Sequence, residues 1–281
     1  MSDNSAVHLL RKRIQEIDAL CSDTAAGSAG PAGREISSDA LPADEKPATK
    51  DGEAGPDGEL CPDVEWKLEK LLQYRDDILA WNEKVNLTAI KEREAFLRQH
   101  YIDAYVPADH EAFLSAHSII DVGTGGGFPG VPLAILFPRK QVVLLDALKK
   151  RLRIIEKVCL ALGIDNVVVV HGRAEEIARQ PKYRGQFDLC VSRAVASLPV
   201  LSEYCLPLVR KGGWFCAYKG SSAAEELASS ARALRVLGAK HICSVSSPYE
   251  NDGHKILMIR KDKSTPKQYP RSNRKIVKDP L

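Results

Sequence analysis

The spacing of apolar residues along the chain changes character three times. Val7, Leu9, Leu10, Ile14, Ile17 and Leu20 recur at helical intervals among charged residues, which predicts a short amphipathic helix, detached or loosely docked. Residues 22–63 then lose all periodicity. They are rich in Gly, Pro and Ala and almost free of large apolar side chains, so they cannot bury enough surface to offset their ordering entropy and read as a disordered acidic linker. The helical period returns at Trp66 and continues through Leu68, Leu71, Leu72, Tyr74, Ile78, Leu79 and Trp81 to a turn at Asn82. A second helix is expected over about residues 91–105.

From His117 onward, short apolar runs alternate with helical segments. Strands are expected at 118–122, 141–146, 166–171, 187–192 and 214–218, with helices at 131–136, 149–162, 174–179, 198–208 and 223–237. That alternation is the signature of an open, mostly parallel sheet covered on both faces. Two final β-rich runs, 240–246 and 254–260, are separated only by SPYENDG, too short for a crossover, so they pair antiparallel. The expected fold class is α/β: a Rossmann-like, seven-stranded sheet with an antiparallel last hairpin, the class I methyltransferase pattern, plus an N-terminal helical extension. The segments are 1–21, 22–63, 64–116, 117–261 and a basic, extended tail at 262–281.

Composition narrows the classes. With 44% hydrophobic and 27% charged residues the chain is neither collagen-like nor disordered throughout. A formal net charge of +3 conceals an asymmetry: residues 22–63 hold ten acidic and three basic residues, −7, so the remainder carries +10. A basic body points to a polyanion such as nucleic acid, with solubility as the alternative reading. No apolar run approaches the roughly 18 residues of a membrane span, and the charged N-terminus lacks a secretory pattern, so no membrane is expected and the compartment is cytoplasmic. Seven scattered cysteines without a C-x-x-C, and histidines without ligand spacing, argue against a disulfide framework and against a metal.

The chemistry concentrates where the first strand ends, at Asp121-Val-Gly123-Thr-Gly125-Gly-Gly127-Phe128-Pro-Gly130. Glycines permit a tight turn and let a ligand approach bare backbone, beside the free N–H groups of the next helix. The segment also matches the dinucleotide fingerprint, with Asp146 some 20 residues on, so a dinucleotide remains an alternative to S-adenosyl-L-methionine. Asp121 favours the latter, because a carboxylate opposes a pyrophosphate and suits an ammonium and a sulfonium. Asp146, at the end of the second strand, is placed to accept ribose hydroxyls or to cap the following helix. Ala174 and Glu175, after the third strand, could meet an adenine or form a plain helix turn. Arg193, after the fourth, faces the methyl acceptor or an acidic neighbour.

These features resemble the bacterial ribosomal RNA small-subunit methyltransferase G family, also called glucose-inhibited division protein B. The resemblance spans roughly residues 65–281 and rests on Trp81-Asn82, Asn86-Leu-Thr-Ala-Ile90, His100-x-x-Asp103, the glycine segment, Leu145-Asp146-x-Leu-x-Lys150-Arg151, Arg173-Ala-Glu-Glu176, Ser192-Arg-Ala194, Lys219-Gly220 and Tyr269-Pro-Arg271. It implies methylation, from S-adenosyl-L-methionine, of N7 of a guanine in 16S ribosomal RNA, numbered 527 by ribosomal convention. The cofactor residues it implies are Gly123, Phe128, Ala174, Glu175 and Arg193, with Arg193 near donor and acceptor as the catalytic side chain; Asp121, Gly125 and Asp146 join them from the strand-end reading above. Lys219, Lys267, Tyr269 and Arg271 would meet RNA, with Lys261, Lys263, Arg274, Lys275 and Lys278 as further cations, the alternative for this tail being an ordinary solvated basic end. The implied partner is small-subunit RNA or the 30S subunit, met by a monomer. Guanine N7 offers a lone pair with no proton to remove, so orientation replaces general-base catalysis. The alternatives are a methyltransferase of another substrate and a non-catalytic ribosome-assembly factor that binds RNA.

Overall fold

The computed structural model describes residues 3–25, 63–246 and 254–281. Most of the expected linker and all of SPYENDG lie outside the described residues. Seven strands form one sheet in the order β3-β2-β1-β4-β5-β7-β6. They are β1 Ser118–Val122, β2 Gln141–Asp146, β3 Val167–His171, β4 Phe187–Arg193, β5 Val209–Lys219, β6 Ala239–Ser246 and β7 Lys255–Lys261. β1 to β5 run parallel, and β7 lies antiparallel to both β5 and β6. Chain order reverses between β1 and β4, the point at which an open α/β sheet leaves a crevice at its carboxyl edge.

Strand alternation sends neighbouring residues into separate cores. Ile119, Leu144, Leu189 and Cys216 pack on one side, while Ile120, Val143, Cys190 and Phe215 pack on the other. The first core receives the N-terminal helices α1 Asp3–Ala25 and α2 Val64–Asn82 together with α6 Gly130–Leu136 and α7 Lys149–Ala161. The second receives α9 Leu198–Cys205 and α11 Ala231–Leu237.

Three expectations are corrected. The first helix is firmly docked: Ala6, Leu10, Ile14 and Ile17 are buried, Arg13 donates to the carbonyls of Tyr105 and Val106, and Asp18 pairs with the buried Lys67. Its apolar stripe reads from sequence, but the complementary surface comes from residues some 50 to 90 positions away. The 223–237 helix breaks at Ser230, whose hydroxyl bonds the carbonyl of Glu226, into α10 Ala223–Ser229 and α11. The tail is not merely extended, because α12 Asn273–Lys278 docks through the buried Ile276.

The helix expected near 91–105 forms as α3 Arg93–Phe96, a π-helical stretch Leu97–Ile102 and α4 Asp103–Tyr105. π-Helical turns cluster at functional sites. This one carries His100 and leads into Asp103, both directed at the end of β4. α5 Glu111–Leu114 then leads into β1, and α8 Ala174–Ile177 follows β3.

Candidate active site

The glycine segment leaves β1 as a tight loop held from below. Asp121 Oδ2 accepts hydrogen bonds from Thr124 Oγ1 at 2.7 Å and from the Gly130 amide at 2.9 Å. Asp146 Oδ2 accepts from the Gly125 amide at 2.9 Å and its Oδ1 from the Leu148 amide at 2.8 Å. Gly123 (φ +76°) and Gly127 (φ +90°) take left-handed conformations open to glycine. A Cβ on Gly123 would overlap Val195, and one on Gly126 would lie 2.8 Å from the Leu87 carbonyl oxygen. The loop is therefore wedged between the β4–α9 turn and the Asn86-Leu-Thr-Ala-Ile90 segment.

Two cavities of about 680 and 580 Å³ open on either side of this wedge and share Gly123, Arg151 and Ala194 in their walls. Both volumes suit a small-molecule ligand. Ala194 (φ +57°) is the one non-glycine residue with positive φ among the described residues, and backbone strain of this kind collects at functional sites. The larger cavity is lined by Asp146, Ala174, Glu175, Ser197 and Tyr204. The smaller is lined by Thr88, His100, Gly125, Phe128, Arg193 and Lys219. Of the cofactor residues expected from sequence, all but Asp121 reach a cavity wall.

Asp121 is corrected in position. It is fully buried under the loop, lines neither cavity, and braces the turn through Thr124 and Gly130. Burial lifts its pKa to about 6 against the lowering effect of those two bonds. Its Oδ1 has no hydrogen-bond partner.

Arg193 is tied to the helical extension. Its Nη1 donates to Asp103 Oδ2 at 3.0 Å and to the Gln99 carbonyl, and its Nη2 lies 2.6 Å from His100 Nδ1. The acidic neighbour weighed as the alternative for this side chain is Asp103, and the side chain also lines the smaller cavity. The His100 ring stacks on Phe128, centroids 3.9 Å apart and planes within 5°. Burial, reinforced by Arg193, lowers the His100 pKa to about 2, so the ring is neutral. Sequence reasoning quoted Thr88, His100 and Asp103 within motifs but gave them no role. The available signal was the three-residue spacing of His100 and Asp103, which puts both on one helical face.

The expected RNA contacts fare differently. Lys219 is mostly buried, donates to the Ala196 carbonyl and pairs with Glu226 at 2.6 Å. Arg271 is committed to the buried Glu203. Tyr269 packs on the second core, and Lys261 is buried against the carbonyls of Leu206 and Leu237. Of the four named contacts Lys267 alone is exposed, and it forms no ion pair among the described residues; Lys263, Arg274, Lys275 and Lys278 are exposed with it. Among the described residues no cluster suits a metal ion, and no helix is long and apolar enough to cross a membrane. The buried thiols of Cys159, Cys190, Cys205 and Cys216 are free.

The floor of the glycine loop carries two carboxylates, Asp121 beneath it and Asp146 at its edge, whose negative charge suits a cationic ligand better than a pyrophosphate. A sheet of order 3-2-1-4-5-7-6 with an antiparallel β7 and such a loop after β1 defines a class I methyltransferase. Within that class, the chain belongs to the rRNA small subunit methyltransferase G family, whose model matches residues 67–253. It is 46% identical over 217 residues to the ribosomal RNA small subunit methyltransferase G of Clostridium novyi (strain NT), covering 76% of this chain and 89% of that protein. The Clostridium tetani protein of the same name is 42% identical over 228 residues, 79% of this chain and 95% of the relative. Among solved structures, the O-methyltransferase from Bacillus cereus in complex with SAH is similar at 19% identity and a TM-score of 0.48, over 67% of this chain and 90% of that one.

Proposed function

We propose that this protein methylates N7 of a guanine in small-subunit ribosomal RNA, using S-adenosyl-L-methionine, and acts as a cytoplasmic monomer. The observation that carries the reading is the pair of cavities meeting at Gly123 and Ala194 in a chain of this family. Asp146 would hold ribose hydroxyls and Ala174 and Glu175 the adenine in the larger cavity. Gly123, Gly125 and Phe128 would bound the methionine portion. The bound cofactor supplies an electrophilic methyl group on a sulfonium.

The chain's own part is placement. N7 needs no deprotonation, so the chain has to supply no general base; His100, its pKa lowered to about 2, and Asp103, paired with Arg193, serve to shape the second cavity. The stacked His100–Phe128 pair and the Arg193–Asp103 bridge fix the cavity wall, so a base brought there meets a preorganised surface.

Phosphate contacts fall on a surface that sequence reasoning did not choose. The first turns of α7 carry Lys149, Lys150, Arg151 and Arg153 and no acid. None of the four forms an ion pair among the described residues, and Arg151 reaches both cavities. Cations at the positive end of a helix are locally unfavourable, and a polyanion lying there relieves that repulsion. Mapping borohydride/aniline-sensitive sites in small-subunit RNA, with and without the protein, tests the function. A single new N7-methylguanine is expected; an unchanged pattern rejects the reading.

A further inference from the structure

Thr88 sits where the Asn86-Leu-Thr-Ala-Ile90 segment covers the glycine loop, lines the smaller cavity and is 8% exposed. Two side-chain bonds from Asn82 fix its backbone: Nδ2 donates to the Thr88 carbonyl at 2.9 Å and Oδ1 accepts from the Thr88 amide at 3.0 Å. The direction of its hydroxyl bond follows from its neighbours. Arginine can only donate, so the 2.6 Å contact from Arg193 Nη2 makes His100 Nδ1 an acceptor. A neutral imidazole with Nδ1 accepting carries its proton on Nε2. Nε2 lies 2.8 Å from Thr88 Oγ1 and therefore donates to it. The Ile90 amide donates to the same oxygen at 3.1 Å. A hydroxyl has two lone pairs and one proton, and both lone pairs of Thr88 are now engaged.

We propose that Thr88 is an obligatory hydrogen-bond donor to an acceptor oxygen of a reactant in the smaller cavity, its polarity set by the Arg193–His100 pair. The inference rests on the function proposed above for the identity of the reactants, which offer two such oxygens: the carboxylate of the methionine portion of the cofactor and O6 beside N7 of the guanine. The second would also distinguish guanine from adenine, which presents an amino donor at that position. Arg193 and His100 act through Thr88 and are positioning residues for this contact.

The test compares Thr88→Val, which keeps the shape and removes the donor, with Thr88→Ser, which restores it. Calorimetry with S-adenosylhomocysteine and methylation of 30S subunits are both measured. A donor lost to a charged oxygen weakens S-adenosylhomocysteine binding about tenfold, assigning the carboxylate. Unchanged binding with kcat/KM for the RNA reduced about tenfold assigns the base oxygen. Ser must recover whichever quantity Val loses. A folded Val variant with both quantities intact, or a Ser variant as impaired as Val, overturns the proposal. Should the Val variant not fold, ¹⁵N NMR of the wild-type His100 ring decides: a proton on Nε2 is expected, and one on Nδ1 overturns it. A wild-type protein that binds S-adenosylhomocysteine yet methylates no RNA refutes the proposed function, while the calorimetric arm still judges Thr88.

Discussion

Arg271 meets Glu203 side-on, with Nε 3.0 Å from Oε1 and Nη2 2.7 Å from Oε2, and the Glu203 side chain has no exposed surface. The Arg271 amide adds a third bond to Oε1. This arrangement staples the C-terminal segment to α9, next to the larger cavity, where Tyr204 and Asn273 face each other.

Removing the cation leaves a buried carboxylate without its partner. Arg271→Ala should therefore cost about 3–5 kcal/mol in urea unfolding. Methylation should fall in proportion to the unfolded fraction. A variant of normal stability whose RNA affinity alone has dropped would return Arg271 to the RNA surface.

Asp121 makes a signed prediction. Its folded pKa, about 6, lies above the ordinary carboxylate value of 3.8, so the folded state holds this proton more tightly than the unfolded chain. The stabilisation is complete below the unfolded pKa and disappears as pH rises through the folded one. A shift of about two pH units corresponds to roughly 3 kcal/mol. Asp121→Asn cannot titrate, so between pH 4 and 6 the stability of the wild type should fall relative to it. Parallel denaturant titrations at both pH values read this difference; a constant gap would show that Asp121 titrates normally.

The α7 cations predict a separable defect. Lys149→Glu with Lys150→Glu should raise KM for 30S subunits at least tenfold, flatten its salt dependence and leave S-adenosylhomocysteine affinity unchanged. Arg232→Glu with Arg235→Glu makes the same change of charge on exposed positions of α11 and serves as control. Equal effects from both pairs would mean that net charge alone matters.

Local signals carried much of this protein. The strand and helix periods, the short connection between β6 and β7 and the glycine turn after β1 each depend on near neighbours in the chain, and the sheet follows them. Gly123, Gly125, Asp146, Ala174 and Glu175 were legible for the same reason: strand ends collect at one edge of a parallel sheet, whatever lies around them. The partners of the charged side chains were not legible. Lys219 finds Glu226 and Arg271 finds Glu203, so cations that read as free for phosphate are neutralised by acids that packing brings near. Arg193 finds His100 some 90 residues away, and that contact decides which way the Thr88 proton points. The sequence by itself determined the elements, their order and the edge that bears the site, because periodicity and turn chemistry act over a few residues. Only the tertiary structure decided which charges stay free and which polar atoms are used up, because burial and long-range pairing are properties of the assembled core.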